Sequence, residues 1–142
     1  MPSSLDTLLR EHLKSTKTIS DDSHISIITE QGVKYRLQSV SDSTVNITGT
    51  CTKLTLFRCK NIIISAVKMP IMGIEIIHCD NIHVNIYNDL SGAGSHMILE
   101  HTVSAKLEID HECTVDIDDC MDVVLNDINI SDLYYDSTWQ VN

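Results

Sequence analysis

The side chains best suited to metal binding or nucleophilic chemistry are five cysteines and seven histidines. The cysteines are Cys51, Cys59, Cys79, Cys113 and Cys120. No two of them form the Cys-x2-Cys pair of structural zinc sites, and their spacings of 8, 20, 34 and 7 residues do not fit a metal cage. We therefore predict no metal site. No basic segment followed by an apolar run opens the sequence, so we expect reduced thiols in a cytoplasmic protein.

A nucleophilic centre would need a cysteine or serine within reach of a histidine and a carboxylate. Cys79 with Asp80 could approach Glu100 with His101, but we expect the cysteine to point inward, where a thiol is inert. A late acidic cluster lacks the glycine and glutamate positions of an EF-hand and any sign of a sugar cleft. Its members are Asp116, Asp118, Asp119 and Asp122. We therefore predict a protein that is not an enzyme and takes no cofactor.

The cysteines instead mark a repeat of about 20 residues. Cys59, Cys79 and Cys120 each begin the motif Cys-x-Asn/Asp-Ile/Val, and the third lies 41 residues after the second. A hidden copy is therefore expected between them, and the alignment puts Glu100 in the cysteine position. Apolar residues then form columns, one of which is Leu56, Ile76, Met97 and Ile117. A repeat of this length is typical of a solenoid.

The apolar composition favours strands, because isoleucine and valine dominate. With only 5 glycines and 2 prolines, tight hairpins cannot be numerous. We predict an all-β fold, a parallel β-helix of about five to six coils. The expected divisions are an N-terminal arm at 1–32, the β-helix at 33–133 and a tail at 134–142. Residues 4–14 have the apolar spacing of a short helix.

Two surface features follow from the columns. Asn61, Asn81, Thr102 and Asp122 are expected to form a ladder at one corner of the coils. Phe57, Ile77 and Ile98 are expected to form an outward apolar stripe, which either the N-terminal helix or a partner covers. A basic cluster lies nearby, made of Lys53, Arg58, Lys60 and Lys68.

The net charge of −10 is concentrated in the last third of the chain, where residues 96–142 carry 11 acidic and 1 basic side chains. Such a surface repels phosphate backbones and anionic lipids. We therefore expect neither nucleic acid nor membrane as a partner.

Two stretches carry a resemblance to a known family. They are residues 45–61, which include Cys51-Thr52-Lys53-Leu54 and Cys59-Lys60-Asn61, and residues 73–84, which include His78-Cys79-Asp80-Asn81. Both resemble the C-terminal β-sheet domain of cyclase-associated proteins, whose superfamily includes tubulin cofactor C. The resemblance spans about residues 33–130 of this sequence. It implies a right-handed β-helix that binds monomeric ADP-actin, promotes nucleotide exchange and dimerises through C-terminal strands.

The cofactor C branch gives a rival interpretation. Those proteins accelerate GTP hydrolysis on tubulin with an arginine in a Gln-Leu-Arg-x-His motif. Here the matching stretch is residues 98–101, with Leu99 in the arginine's place, and leucine cannot stabilise charge on a phosphoryl group. We also expect no counterpart of the long tail or of the WH2 module of cyclase-associated proteins.

We therefore expect a cytoplasmic, cytoskeleton-associated protein that binds monomeric actin and exchanges or sequesters its nucleotide. The alternatives are a cofactor C-like module without its arginine and a β-helical interaction scaffold. The candidate partner-binding residues are Lys53, Phe57, Arg58, Lys60 and Ile77. The candidate dimerisation residues are Leu133, Tyr134, Tyr135 and Trp139, in a tail that serves either as a cap on the last coil or as a strand for a partner.

Overall fold

The computed structural model describes residues 16–49, 51–87, 95–131 and 136–141, and in these ranges the chain is all β. The strands are β1 (Thr16–Ser20), β2 (Ser26–Ile28), β3 (Lys34–Gln38), β4 (Ser41–Ile47), β5 (Lys53–Phe57), β6 (Lys60–Ala66), β7 (Ile74–Ile77), β8 (Asp80–Ile86), β9 (Ser95–Glu100), β10 (Val103–Ile109), β11 (Cys113–Asp118), β12 (Met121–Leu125), β13 (Ile128–Asn129) and β14 (Asp136–Val141). The helix expected at residues 4–14 lies outside the described residues.

Successive strands alternate between two seven-stranded sheets. Sheet 1 has the order β1-β3-β5-β7-β9-β11-β14, and sheet 2 has the order β13-β12-β10-β8-β6-β4-β2. All neighbours are parallel except β13 and β14, which pair antiparallel with β12 and β11. Each coil thus adds one strand to each sheet, from the first coil (β1 and β2) to the sixth (β11 and β12). The predicted parallel β-helix is confirmed.

The core lies between the two sheets and follows a fixed spacing of inward residues. In the third coil these residues are Leu54, Leu56, Cys59, Ile62, Ile64 and Ala66, all at most 3% exposed. The steps of two residues place side chains on one face of a strand, and the two steps of three residues carry the chain around a corner. The fifth coil repeats the spacing with Met97, Leu99, Thr102, Ala105, Leu107 and Ile109, all buried.

The register of the fifth coil corrects the sequence alignment. The cysteine position is filled by Thr102, not by Glu100, since the Cys79 N–H donates to the Thr102 Oγ1 at 3.4 Å. Glu100 instead pairs with Ile77 on the outer face of sheet 1. The expected columns shift by two residues in this coil, so that Leu99 replaces Met97 beside Ile76.

In each coil the chain turns from a sheet 1 strand into the following sheet 2 strand, and we call this turn the first corner. It is built from residues with positive φ. In each coil one such residue follows the sheet 1 strand and a second lies three positions later, as Arg58 (φ 55°) and Asn61 (φ 56°) do in the third coil. Asparagine, aspartate and histidine tolerate this left-handed conformation better than other non-glycine residues. A glycine-poor chain can therefore still turn tightly at every coil.

The expected corner ladder is present with one substitution. Asn61 donates from Nδ2 to Asp42 at 2.8 Å, and Asn81 donates from Nδ2 to Asn61 at 2.7 Å. Further along, Ser104 donates to Asp122 at 3.1 Å, so Ser104 stands where Thr102 was expected.

The two ends of the β-helix differ from the expected divisions. Within the described residues the parallel coils extend back to Thr16, because β1 pairs with β3, so residues 16–32, which were expected in the arm, are part of the β-helix. In the inward position of β1 stands Lys17, whose Nζ lies 2.7 Å from Glu30 Oε1. At the other end β14 adds an antiparallel strand to β11. The described first coil thus departs from the regular pattern by an exposed ion pair, and the last coil departs from it by an antiparallel strand.

Candidate partner-binding surface at the first corner

The positive-φ residue that begins each first corner points its side chain outward. In the third, fourth and fifth coils it is Arg58, His78 and His101, and in the sixth it is Asp119. Because equivalent residues of parallel coils lie directly over one another, these side chains form one column along the axis. The next outward column on sheet 1 includes Phe57 and Ile77.

Aromatic contacts join these columns into one continuous group. The Phe57 ring meets the His78 ring edge-on, with centroids 5.9 Å apart and an interplanar angle of 84°. His78 stacks on His101 with centroids 4.8 Å apart and planes within 14°. His101 Nδ1 lies 2.8 Å from a carboxylate oxygen of Asp119, which ends the series. Each contact restricts the next side chain, so the group is ordered in advance of binding.

Two arginines lie against the Phe57 ring. The guanidinium carbon of Arg58 is 5.0 Å from the ring centroid, and that of Arg36, on the preceding coil, is 5.9 Å away. Both distances are within the range of a cation–π interaction. We refer to Arg36, Phe57, Arg58, Ile77, His78 and His101 as the corner surface.

Three of the five predicted partner-binding residues lie in the corner surface, namely Phe57, Arg58 and Ile77. Lys53 lies at the opposite end of β5, and its Nζ is 2.7 Å from Glu75 Oε1. Lys60 is exposed on the other side of the first corner, at the start of β6. The structure therefore divides the predicted set into a corner group and two lysines away from it.

The expected outward stripe is shorter than predicted. Phe57 and Ile77 are register partners, but Ile98 pairs with Glu75 in the neighbouring outward column. Glu100 occupies the place next to Ile77. The stripe therefore ends at the fourth coil. The prediction for Ile98 is wrong because the sequence alignment of the fifth coil was displaced by two residues.

Sequence reasoning missed the contribution of Arg36, His78 and His101. With Glu100 in the cysteine position, the sequence alignment put His78 before that position and His101 after it, whereas in the structure both precede it and stack. The spacing of inward residues could have predicted the positions of the two histidines. The fifth coil keeps the same steps of two and three residues as the third coil only if Thr102, and not Glu100, is placed at the corner. Arg36 carries no sequence signal, since its contact with Phe57 crosses between coils.

The cysteines are packing residues in the described structure. All five are free, and only Cys120 is not fully buried. Burial raises the pKa of the Cys51 thiol to about 11. A hydrogen bond with Cys59, together with burial, raises the pKa of Cys79. The same hydrogen bond lowers the pKa of Cys59 to about 7, but that thiol is buried as well, so it is not accessible as a nucleophile. Across the described ranges no three His, Cys, Asp or Glu side chains are grouped closely enough to hold a metal ion.

Of the dimerisation candidates, Leu133, Tyr134 and Tyr135 lie outside the described residues. Trp139 lies in β14, opposite Val115 of β11 in the same chain, and packs against the core. A strand exchanged between two copies would make the same contacts, so the dimer stays a prediction.

Comparison with known proteins gives no assignment, since no protein-family model and no curated protein matches the chain. Among the described residues there is no helix of the length and apolarity that crossing a membrane requires.

Proposed function

We propose that this protein binds monomeric ADP-actin through the corner surface and promotes exchange of the bound nucleotide or sequesters the monomer. The observation that carries the proposal is the corner surface itself, an exposed arginine–aromatic group on a β-helix. The choice of actin rests on the resemblance of residues 45–61 and 73–84 to the domain of cyclase-associated proteins.

The chemistry of the corner surface suits a protein partner. Arginine and aromatic side chains are enriched among the residues that dominate binding energy, particularly where neighbouring side chains hold them in place. Here Phe57 is held by two arginines and His78, and Ile77 supplies aliphatic area beside it. Binding would therefore order few additional side chains, which lowers its entropic cost.

The position along the axis favours an acidic partner at this end of the molecule. The described second and third coils carry Lys34, Arg36, Lys53, Arg58 and Lys60 and a single carboxylate, that of Asp42. The sixth coil carries its charge as aspartates, including Asp116, Asp118 and Asp119. An acidic surface such as that of actin is attracted to the first group and repelled by the second.

The test is a titration of fluorescently labelled ADP-actin monomers with the protein, paired with release of a labelled nucleotide. We expect binding in the micromolar range and a changed rate of nucleotide release. Ile77→Ala should weaken binding severalfold. The same substitution at Ile63, which is 46% exposed on sheet 2, should leave binding unchanged and serves as the matched control. Absence of binding at tens of micromolar would contradict the proposal.

The tubulin cofactor C-like alternative is tested in parallel by GTP hydrolysis on tubulin with cofactors D and E present. Leu99, in the place of the family's arginine, is fully buried, so a side chain there cannot reach a nucleotide on another protein. We therefore expect no acceleration of hydrolysis. A clear acceleration would favour the cofactor C branch over the actin proposal.

A further inference from the structure

Within the ranges that the structure describes, Arg36 and Arg58 have no ionic partner, and they share this with Lys34, Lys60 and Lys68. Lys17, Lys53 and Lys106 lie 2.7, 2.7 and 3.1 Å from glutamate oxygens. Neither arginine forms an ion pair within the ranges that the structure describes, although the chain has 20 acidic and only 10 basic residues. What distinguishes the two arginines from the other described cationic side chains is that both guanidinium groups contact an aromatic ring.

The Phe57 ring holds both guanidinium groups on one small patch. Their carbons are 5.0 and 5.9 Å from the same centroid, and both arginine residues are exposed. Contact with an aromatic ring restrains a guanidinium but leaves its five N–H donors available in their planar arrangement. Both guanidinium carbons therefore lie within 5.9 Å of one ring centre before any ligand arrives.

We propose that Arg36 and Arg58 form a clamp for two carboxylates on an extended acidic segment of the protein partner. In an extended chain, side chains two residues apart lie on the same face at about 6.6 Å, so one segment can present two carboxylates to the same patch. Each guanidinium binds a carboxylate in a two-pronged, charge-assisted arrangement. This proposal depends on the proposed function only for the identity of the protein that supplies the segment.

The charges of the residues around the clamp determine which coils the acidic segment of the partner can contact. Neighbouring outward positions on sheet 1 are uncharged, namely Gln38, Thr55 and Ile77. Glu100 and Asp118 occupy the same outward column two and three coils beyond Phe57. An acidic segment is therefore attracted to the second and third coils and excluded from the fifth and sixth.

The direct test is a titration of the ¹⁵N-labelled full chain with the pentapeptide Glu-Val-Glu-Val-Glu, followed by amide chemical shifts. We expect shifts confined to β3, β5 and the residues after them, and none with the peptide in which glutamine replaces glutamate. Arg36→Gln and Arg58→Gln should each weaken binding about tenfold, the loss typical of a charge-assisted contact.

Lys68→Gln is the matched control, because it removes the same charge from an exposed side chain that has no aromatic contact. It should weaken binding less than twofold. Equal losses in all three variants would show attraction to net charge and overturn the clamp, as would an absence of shifts at saturating peptide. Preference for a peptide with a single phosphoserine over the glutamate peptide would also overturn it, since it assigns the arginines to a phosphate.

The same variants separate this proposal from the proposed function. If the peptide binds the clamp but actin does not bind the protein, the partner is wrong and the clamp stands. If actin binds Arg36→Gln and Arg58→Gln as tightly as the unaltered protein, the clamp is wrong and the proposed function stands.

Discussion

Asn61 shows how single residues determine the shape of this molecule. Its φ of 56° turns the chain into sheet 2, and its side chain links two neighbouring coils. Asparagine combines both roles because its short amide side chain tolerates the left-handed conformation and supplies a donor and an acceptor. The ladder therefore stabilises the corner that positions Arg58, three residues earlier in the chain.

Replacing Asn61 by alanine removes two side-chain hydrogen bonds and leaves a residue that disfavours positive φ. We expect Asn61→Ala to lower the free energy of unfolding by about 2 kcal/mol in a urea titration. Asn85→Ala is the control, since Asn85 lies on the outer face of β8 with ordinary strand geometry. A loss as large for Asn85→Ala would contradict a special role of the ladder.

Thiol reactivity tests whether the cysteines are packing residues. Cys120 is partly exposed, although burial of its sulfur raises the pKa of the thiol, and the other four cysteines are buried. A chromogenic disulfide reagent at pH 8 should therefore modify one thiol in the folded protein and all five after denaturation. Cys120→Ser should remove that first reaction. Reaction of several thiols in the folded state would contradict the buried arrangement.

These residues also show what a sequence can and cannot predict. The cysteine repeat, the inward columns and the ladder at Asn61 and Asn81 were predictable, because stacked parallel coils repeat the same environment. The fifth coil was misaligned because Thr102 replaces a cysteine: its buried hydroxyl donates to backbone oxygens of Glu100 or Ile76 at 3.0 and 3.3 Å. That polar residue gave no apolar signal to align.

At the scale of elements, β14 is the strand that departs most from the repeat. It pairs antiparallel with β11, and Trp139 packs against the end of the core. An uncapped sheet edge invites association with other chains, so the strand protects β11 from unwanted pairing. The sequence predicted a cap or a partner strand here, but the direction of pairing depends on the turn before it, which the repeat does not encode.

Asp116 attaches this strand through its carboxylate. Hydrogen bonds that the carboxylate accepts from Thr138 and His96, with the charge of His96, lower the pKa of Asp116 below its usual value. A carboxylate whose pKa is lower in the folded state stabilises that state above the unfolded pKa of about 3.9, and the contribution is lost as pH falls through the lower folded pKa. The attachment of β14 should therefore weaken in acid.

The fluorescence of Trp139, the only tryptophan, reports this attachment. We expect Asp116→Asn to shift the Trp139 emission at neutral pH and to reduce its change between pH 5 and 2, the range around a carboxyl pKa. Asp127→Asn, on the exposed turn after β12, should leave both unchanged. Identical acid transitions in the unaltered protein and Asp116→Asn would contradict the role of Asp116.

The whole molecule is an axial stack with different chemistry at its two ends. Its second and third coils present arginines and lysines, whereas the sixth presents aspartates. The difference in charge between the two ends was predictable by counting the acidic and basic residues in successive segments of the sequence. The corner surface was only partly predictable, because contacts such as Arg36 with Phe57 depend on which residues the coils bring together.

The most direct test of the proposed binding mode is hydrogen exchange of the chain, followed by mass spectrometry, with and without ADP-actin monomers. We expect slower exchange in peptides that contain β3, β5 and the corner residues Arg58 and His78. The outer face of sheet 2 around Ile63 should exchange as in the free protein. Protection of sheet 2 alone, or no change at saturating actin, would contradict binding through the corner surface.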